Sequence, residues 1–282
     1  MPDIYHGLDQ AALDAQYDNQ RHVPDFRDAL AEYTRRSAEA RATLRCLLGV
    51  PYGAGERQKL DVFPAAASAA PVHVFFHGGA WRALHRDDAA LQAPTYVAAG
   101  VTYVAAGFDL ATEVPLEAMV DQARAAVAWV ATHAHEFGAD PARLTVSGHS
   151  SGAYLAACVA TTDWGALFDL PADTVKGAAL VSGLYDLEPV RLSARNALLK
   201  LTPERAVALS PIRTRPPAGL RLVLGMAEHE TGEFHRQTRA LQAAWVGPEV
   251  IVAAGRNHYD VALNLADAKS AIGSACLRLA LS

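Results

Sequence analysis

One short segment decides most of what this chain can fold into. Residues 144–154, Leu-Thr-Val-Ser-Gly-His-Ser-Ser-Gly-Ala-Tyr, carry an apolar run into two glycines that bracket Ser150, and the alanine-rich stretch Ser151–Ala160 follows at once. The run has the composition of a buried strand and the alanine-rich stretch that of a helix. With no loop between them, the backbone at the turn is sharply bent. The residues two before and two after the serine must be small, because the chain crowds itself there. A strand turning straight into a helix is the building unit of a mostly parallel sheet with helices on both faces.

The rest of the sequence repeats that alternation. Lys59–Phe63, Val72–Phe76, Val101–Phe108, Gly177–Ser182, Leu220–Gly225 and Val250–Ala254 are short apolar runs bounded by turn residues, and each predicts a strand. Pro115 opens a helix whose Met119, Val120, Ala123, Val127 and Val130 fall at helical spacing, Phe234–Trp245 is a second, and the chain from Asp260 to its end is expected to be helical. Before the first strand, Phe26, Leu30, Tyr33 and Ser37 place an apolar stripe on a helix that starts after Pro24. The expected organisation is an N-terminal helical extension over residues 1–45, either a lid or a brace on the sheet edge, followed by one α/β domain over residues 46–282. No G-x-G-x-x-G follows the first strand, and Gly53-Ala54-Gly55 reads as a turn.

Composition excludes several classes. Hydrophobic residues make up 51% and charged residues 20%, enough to fill a sizeable core, so chain-wide disorder is not expected. The net charge of −5 is spread over mixed signs, with no basic stripe for nucleic acid and no polybasic membrane patch. Ala89–Phe108 is uncharged but contains Gln92, Pro94, Gly100 and Gly107, which suits a helix followed by a buried strand better than a bilayer span. Cys46, Cys158 and Cys276 lie far apart without metal-ligand spacing, and MPDIYHGLDQ has no secretory pattern. The expectation is a cytoplasmic protein with reduced thiols, acting on a small molecule, with a homodimer left open.

The chemistry-bearing residues fall where such a sheet would gather them. Ser150, raised at the bend and at a helix N-terminus, is the candidate nucleophile. Upstream, the strand Val72–Phe76 ends in His77-Gly78-Gly79-Ala80-Trp81, and the N–H groups of Gly78, Gly79 and Ser151 are the candidate oxyanion hole. His77 is expected to hold that loop, and Trp81 either lines a pocket or packs beneath the turn. His258, on the loop after the last strand, is the candidate base, which gives the chain order Ser, acid, His. The loop after Leu220–Gly225 offers Glu228, Glu230 and Glu233. Glu233 opens the next helix, where the dipole favours a carboxylate, and reach does not separate Glu228 from Glu230. Asp260, two residues from His258, is expected to point elsewhere. Trp81, His149 and Tyr259 flank these motifs as candidate substrate contacts. His133-Ala-His135-Glu136 and His229 form neither HExxH nor a full ligand set, so neither metal nor organic cofactor is called for.

Taken together these segments resemble the arylformamidase (kynurenine formamidase) branch of the α/β-hydrolases, within the hormone-sensitive-lipase-like esterases. The resemblance is carried by Leu13–Pro24, by His77–Trp81, by Gly148–Gly152 and by Ser182-Gly-Leu-Tyr-Asp186-Leu-Glu-Pro189. Ser210-Pro211, Glu230-Thr-Gly-Glu233-Phe234-His-Arg-Gln237 and Asn257-His258 complete it. It implies an α/β-hydrolase fold and a serine hydrolase cleaving an aryl formamide, with a short-chain carboxylesterase or a non-catalytic binding protein as the alternatives. By the same similarity the triad acid falls three residues before Glu233-Phe234, at Glu230, where aspartate is frequent. Asp186 is then a turn residue, and Ala80 stands where a larger residue such as tyrosine is often found.

Overall fold

Along Ala70–Phe76, alternate side chains enter two different cores. Val72, Val74 and Phe76 pack into one, and Phe75 packs into the other. That two-sided burial marks a central parallel strand rather than a half-exposed one. The computed structural model describes residues 3–282, and among them eight strands form one sheet. They are β1 (Leu47–Pro51), β2 (Lys59–Phe63), β3 (Ala70–Phe76), β4 (Thr102–Ala106), β5 (Ala139–His149), β6 (Gly177–Val181), β7 (Arg221–His229) and β8 (Ile251–Asn257). Their order is β1-β2-β4-β3-β5-β6-β7-β8, antiparallel at the β1–β2 and β2–β4 pairs and parallel from β4 to β8.

One face is covered by the helices Leu116–His133, Ser151–Ala160 and Gly232–Trp245. Met119, Val120, Val127 and Val130 are all buried there. Each such side chain contributes on the order of 1.5–3 kcal/mol relative to exposure. The opposite face takes Ala93–Ala98, Val261–Leu265 and Ala271–Leu281. The sheet therefore lies between two helical layers, as the alternation of elements requires.

The N-terminal segment folds as Gln10–Gln16, Asn19–His22 and Phe26–Thr43. Leu13 and Tyr17 are buried in the main core, and Tyr33 and Ser37 form the inner stripe of the long helix. That helix is pinned from the side by Arg41, whose Nε lies 3.3 Å from the fully buried Asp61 of β2, while Arg86 Nε and the Gly49 N–H bond the same carboxylate. Buried Asp61 is thus compensated from three directions.

Two features were not anticipated and one expectation needed correction. β1 was not expected, because an exposed edge strand has no apolar alternation to betray it. The helix expected from Asp260 to the end is two helices: Ser270 caps the second through a 2.9 Å bond from the Gly273 N–H. A Cβ at Gly273 would lie 2.2 Å from the Asp267 carbonyl, which shows how tightly the chain doubles back there. Finally, the connection from β6 to β7 contains the short helices Glu188–Leu192, Asn196–Leu199 and Pro203–Ala208. No helix among the described residues is long and apolar enough to cross a membrane.

Candidate active site

The turn after β5 carries the strain its sequence demands. Ser150 has φ 56° and ψ −125°, a conformation costing a non-glycine residue on the order of 1–3 kcal/mol. The neighbouring glycines explain how the bend fits. A Cβ at Gly148 would lie 2.1 Å from the Gly152 carbonyl oxygen, and one at Gly152 would lie 2.1 Å from that of Phe76. The serine is thereby lifted off the end of β5 into a cavity.

Ser150, His258 and Glu230 form a single hydrogen-bonded line. Ser150 Oγ lies 3.0 Å from His258 Nε2, and His258 Nδ1 lies 2.5 Å from Glu230 Oε1. A carboxylate only accepts, so Nδ1 carries the proton and Nε2 is left to accept from the serine hydroxyl. The other Glu230 oxygen accepts from Ser182 Oγ at 3.0 Å and from the Ala227 N–H at 2.9 Å. Both carboxylate oxygens are therefore fixed, and the side chain is fully buried. His258 is aimed by a tight turn: Asn257 Oδ1 accepts from the N–H groups of Tyr259 and Asp260, while Asp260 Oδ1 accepts from the Asn257 N–H. The rings of Phe234 and His149 pack on the imidazole at 4.5 and 4.9 Å. Glu228 turns away to the Gly255 N–H at 2.6 Å, and Glu233 binds Arg236 and the Tyr17 hydroxyl. Asp186 accepts from the Glu188 N–H within its own turn.

Facing the serine is the His77–Trp81 turn. Among the described residues no main-chain or side-chain acceptor takes the N–H groups of Gly78 or Gly79. Ser151, the first residue of its helix, has no partner within that helix. Gly79 has φ +108°, and a Cβ there would meet the Ala83 carbonyl at 2.1 Å, so only glycine is accommodated. A Cβ on Gly78 would stand 3.2 Å from that of Ser150, which places this backbone directly against the hydroxyl-bearing residue. His77 Nδ1 donates to the Gly78 carbonyl at 2.8 Å and its ring stacks on Phe108 at 4.4 Å; burial pushes its pKa down to about 4. Trp81 is buried edge-on to Tyr154, and its main-chain N–H donates to Ser151 Oγ at 3.2 Å. His149 is buried beside His258 and kept neutral by desolvation. The Tyr259 ring sits on the cavity wall against Phe26, 5.4 Å between centroids.

Two connected spaces lead to Ser150. A cavity of about 120 Å³ contains Ser150, His258 and His149, and a groove of about 640 Å³ shares Tyr17, Asp18, Ala80, Arg82 and Arg195 with it. Part of the shared wall comes from the N-terminal segment. Sequence reasoning reached neither Arg82 nor Arg195, nor the positioning role of Ser182 and Asn257. The Ser182-Gly-Leu-Tyr-Asp motif and the Asn257-His258 pair carried the signals for Ser182 and Asn257, and nothing marked the two arginines.

The family model described as alpha/beta hydrolase fold matches residues 73–258, which run from β3 to the histidine of this site. The chain belongs to the α/β-hydrolase family. Within it, this hydrolase is 38% identical to a kynurenine formamidase of Salmo salar over 74% of its own length and 71% of the relative's. It is 31% identical to one of Danio rerio over 93% and 94%. A carboxylic ester hydrolase of Mycobacterium tuberculosis is 39% identical over a shorter stretch, 40% of this chain and 30% of the relative. Among solved structures, a protein titled a putative thioesterase from Silicibacter superposes with a TM-score of 0.85, covering 96% of this chain and 99% of the other at 24% identity. The carboxylesterase EstE1 gives 0.68 over 91% and 98% at 19% identity.

Proposed function

We propose that this hydrolase cleaves an aryl formamide of the N-formylkynurenine type through a formyl-serine intermediate. The observation that carries the reading is the line Glu230–His258–Ser150 ending opposite main-chain N–H groups that have no acceptor of their own. His258 Nε2 takes the hydroxyl proton as Ser150 Oγ bonds to the formyl carbon. The oxygen of that carbon gathers negative charge against the N–H groups of Gly78, Gly79 and Ser151. His258 then gives its proton to the departing aryl amine, and the C–N bond breaks. Water, deprotonated by the same imidazole, attacks the formyl-serine and releases formate, with the proton returned to Ser150. Glu230 keeps the productive tautomer and balances the imidazolium. In this scheme a cavity of about 120 Å³ suits a small acyl group, and the groove beyond it receives the aryl amine.

A short-chain carboxylesterase is the second reading, favoured by the similarity to ester hydrolases. It uses the same groups, because an alkoxide leaves with less assistance than an amine. Free Cys46, Cys158 and Cys276 suit a reducing, cytoplasmic setting, and burial pushes the thiols of Cys158 and Cys276 up to about 12, which keeps them protonated. The deciding experiment compares kcat/KM for N-formylkynurenine and p-nitrophenyl acetate, with Ser150→Ala as control. Higher efficiency on the formamide is the expected result. Equal or better efficiency on the ester moves the assignment to the carboxylesterase, and turnover surviving in Ser150→Ala overturns both.

A further inference from the structure

Arg195 sits where the small cavity and the groove meet, with most of its hydrogen-bonding capacity unspent. Its Nε donates to the Tyr17 carbonyl at 3.2 Å and its Nη2 bonds the same oxygen. Among the described residues no carboxylate lies within ion-pair distance of it, and its guanidinium lies over the Tyr17 ring, 5.8 Å from the centroid. A guanidinium has five N–H donors, so the rest have no protein acceptor. Arg82, exposed on the turn after Trp81, lines the same two spaces. So does Asp18, whose Oδ1 is engaged only by a long 3.4 Å bond from the Arg21 N–H. Desolvation lowers Arg195 to about 10, which leaves it charged throughout the neutral range. Asp18 favours the Arg195 charge from beyond ion-pair distance, and a partly buried guanidinium with no direct ion-pair partner keeps N–H groups free for an incoming anion.

We infer that Arg195 and Arg82 form a carboxylate-binding subsite beside the nucleophile, with Asp18 placed to receive a neighbouring ammonium group. The two arginines then act as specificity-determining residues, selecting substrates with an anionic group on the leaving side of the scissile bond. This deepens, and rests on, the formamidase reading. Arg is suited to the task because its planar fork can engage a carboxylate through two parallel bonds.

The test uses two matched substrate pairs, one acidic and one neutral in each: N-formylkynurenine against formanilide, and 3-acetoxybenzoate against phenyl acetate. The wild-type preference for the acidic member, measured as a ratio of kcat/KM, is expected to fall about 10- to 100-fold in Arg195→Ala and in Arg82→Ala. The loss should sit mainly in KM. Arg195→Lys should recover part of it, and Arg239→Ala, on an exposed helix position outside both spaces, should not alter it. Because Arg195 also holds the Tyr17 carbonyl, Arg82→Ala separates recognition from packing. Unchanged ratios in both variants, or acidic and neutral substrates falling together, overturn the subsite. If neither formamide is cleaved while the ester pair still shows an arginine-dependent preference, the formamide reading falls and the subsite stands. Cleavage of both formamides at equal efficiency by the wild type gives the reverse outcome.

Discussion

Ser147 and Ser150 stand on the same stretch of chain, and each meets a histidine ring nitrogen: His73 Nε2 at 2.6 Å and His258 Nε2 at 3.0 Å. Distance alone would rank the first pair higher. Their surroundings reverse the order. The second nitrogen of His73 meets Thr145 Oγ1 at 2.8 Å, whereas that of His258 meets the carboxylate of Glu230. His73 is stacked on Tyr96 at 4.6 Å and fully buried, and desolvation pushes its pKa down to about 3. Desolvation with no carboxylate beside the ring disfavours its taking a proton from serine. Ser147 lies in regular parallel pairing with Phe75 and Ala179, while Ser150 occupies a strained turn that opens on a cavity. A Ser–His contact is thus a packing element until a carboxylate, a raised hydroxyl and unspent N–H groups are added to it.

The sharpest way to break that contrast is to remove each serine in turn. Ser150→Ala should lower kcat/KM on the preferred substrate by on the order of 10⁴ or more, with thermal unfolding little changed. Ser147→Ala should leave turnover within a few-fold of wild type and show its effect in stability instead. Steady-state rates and calorimetry on the same preparations check both. Comparable losses of turnover in the two variants would erase the distinction drawn between the pairs.

Glu230→Gln isolates the carboxylate, the feature His73 lacks. The amide can still accept from Ser182 Oγ and the Ala227 N–H, so the loop should keep its shape. It cannot balance an imidazolium, and it can present its NH₂ to Nδ1 and favour the wrong tautomer. A fall in kcat of about 10³- to 10⁴-fold is expected, with KM nearly constant. Near-wild-type turnover would mean that His258 needs no anion, and the comparison with His73 would lose its main term.

The elbow was legible in the sequence because its demands are local: two glycines, a serine, an apolar run before and alanines after. The β3 turn was legible for the same reason. Choosing between Glu228 and Glu230 was different, since residue type and reach were equal and only the resemblance preferred the latter. In the structure the register of β7 against β8 shifts between Ala227 and His229; Glu228 turns out to Gly255, and Glu230 turns in under His258. Arg195 left no local mark at all. Its place depends on Tyr17, the turn after His77 and the β6–β7 connection meeting at one point, and such meetings are a product of tertiary packing. The exposed strand β1 escaped for the opposite reason, having too little burial to impose a pattern.

The smallest expected effect concerns the buried histidines as stability elements. His73 is held neutral at about 3 and His77 at about 4, against roughly 6.5 for the unfolded chain. Both folded values are depressed, so between those limits the unfolded state binds more protons. Their contribution is fully present above pH 6.5 and is lost as pH falls toward the folded values. Each histidine adds a slope of up to about 1.4 kcal/mol per pH unit within its window. His73→Gln should flatten the urea-unfolding stability curve between pH 6 and 4 by about that slope, while costing on the order of 1–3 kcal/mol at pH 7 through imperfect bonds to Thr145 and Ser147. The pH profile of turnover should not move, because His73 packs among Tyr96 and Tyr103 and bonds Thr145 and Ser147, with no hydrogen bond to Ser150, His258 or Glu230. A shifted activity profile in His73→Gln would tie this pair to the chemistry after all.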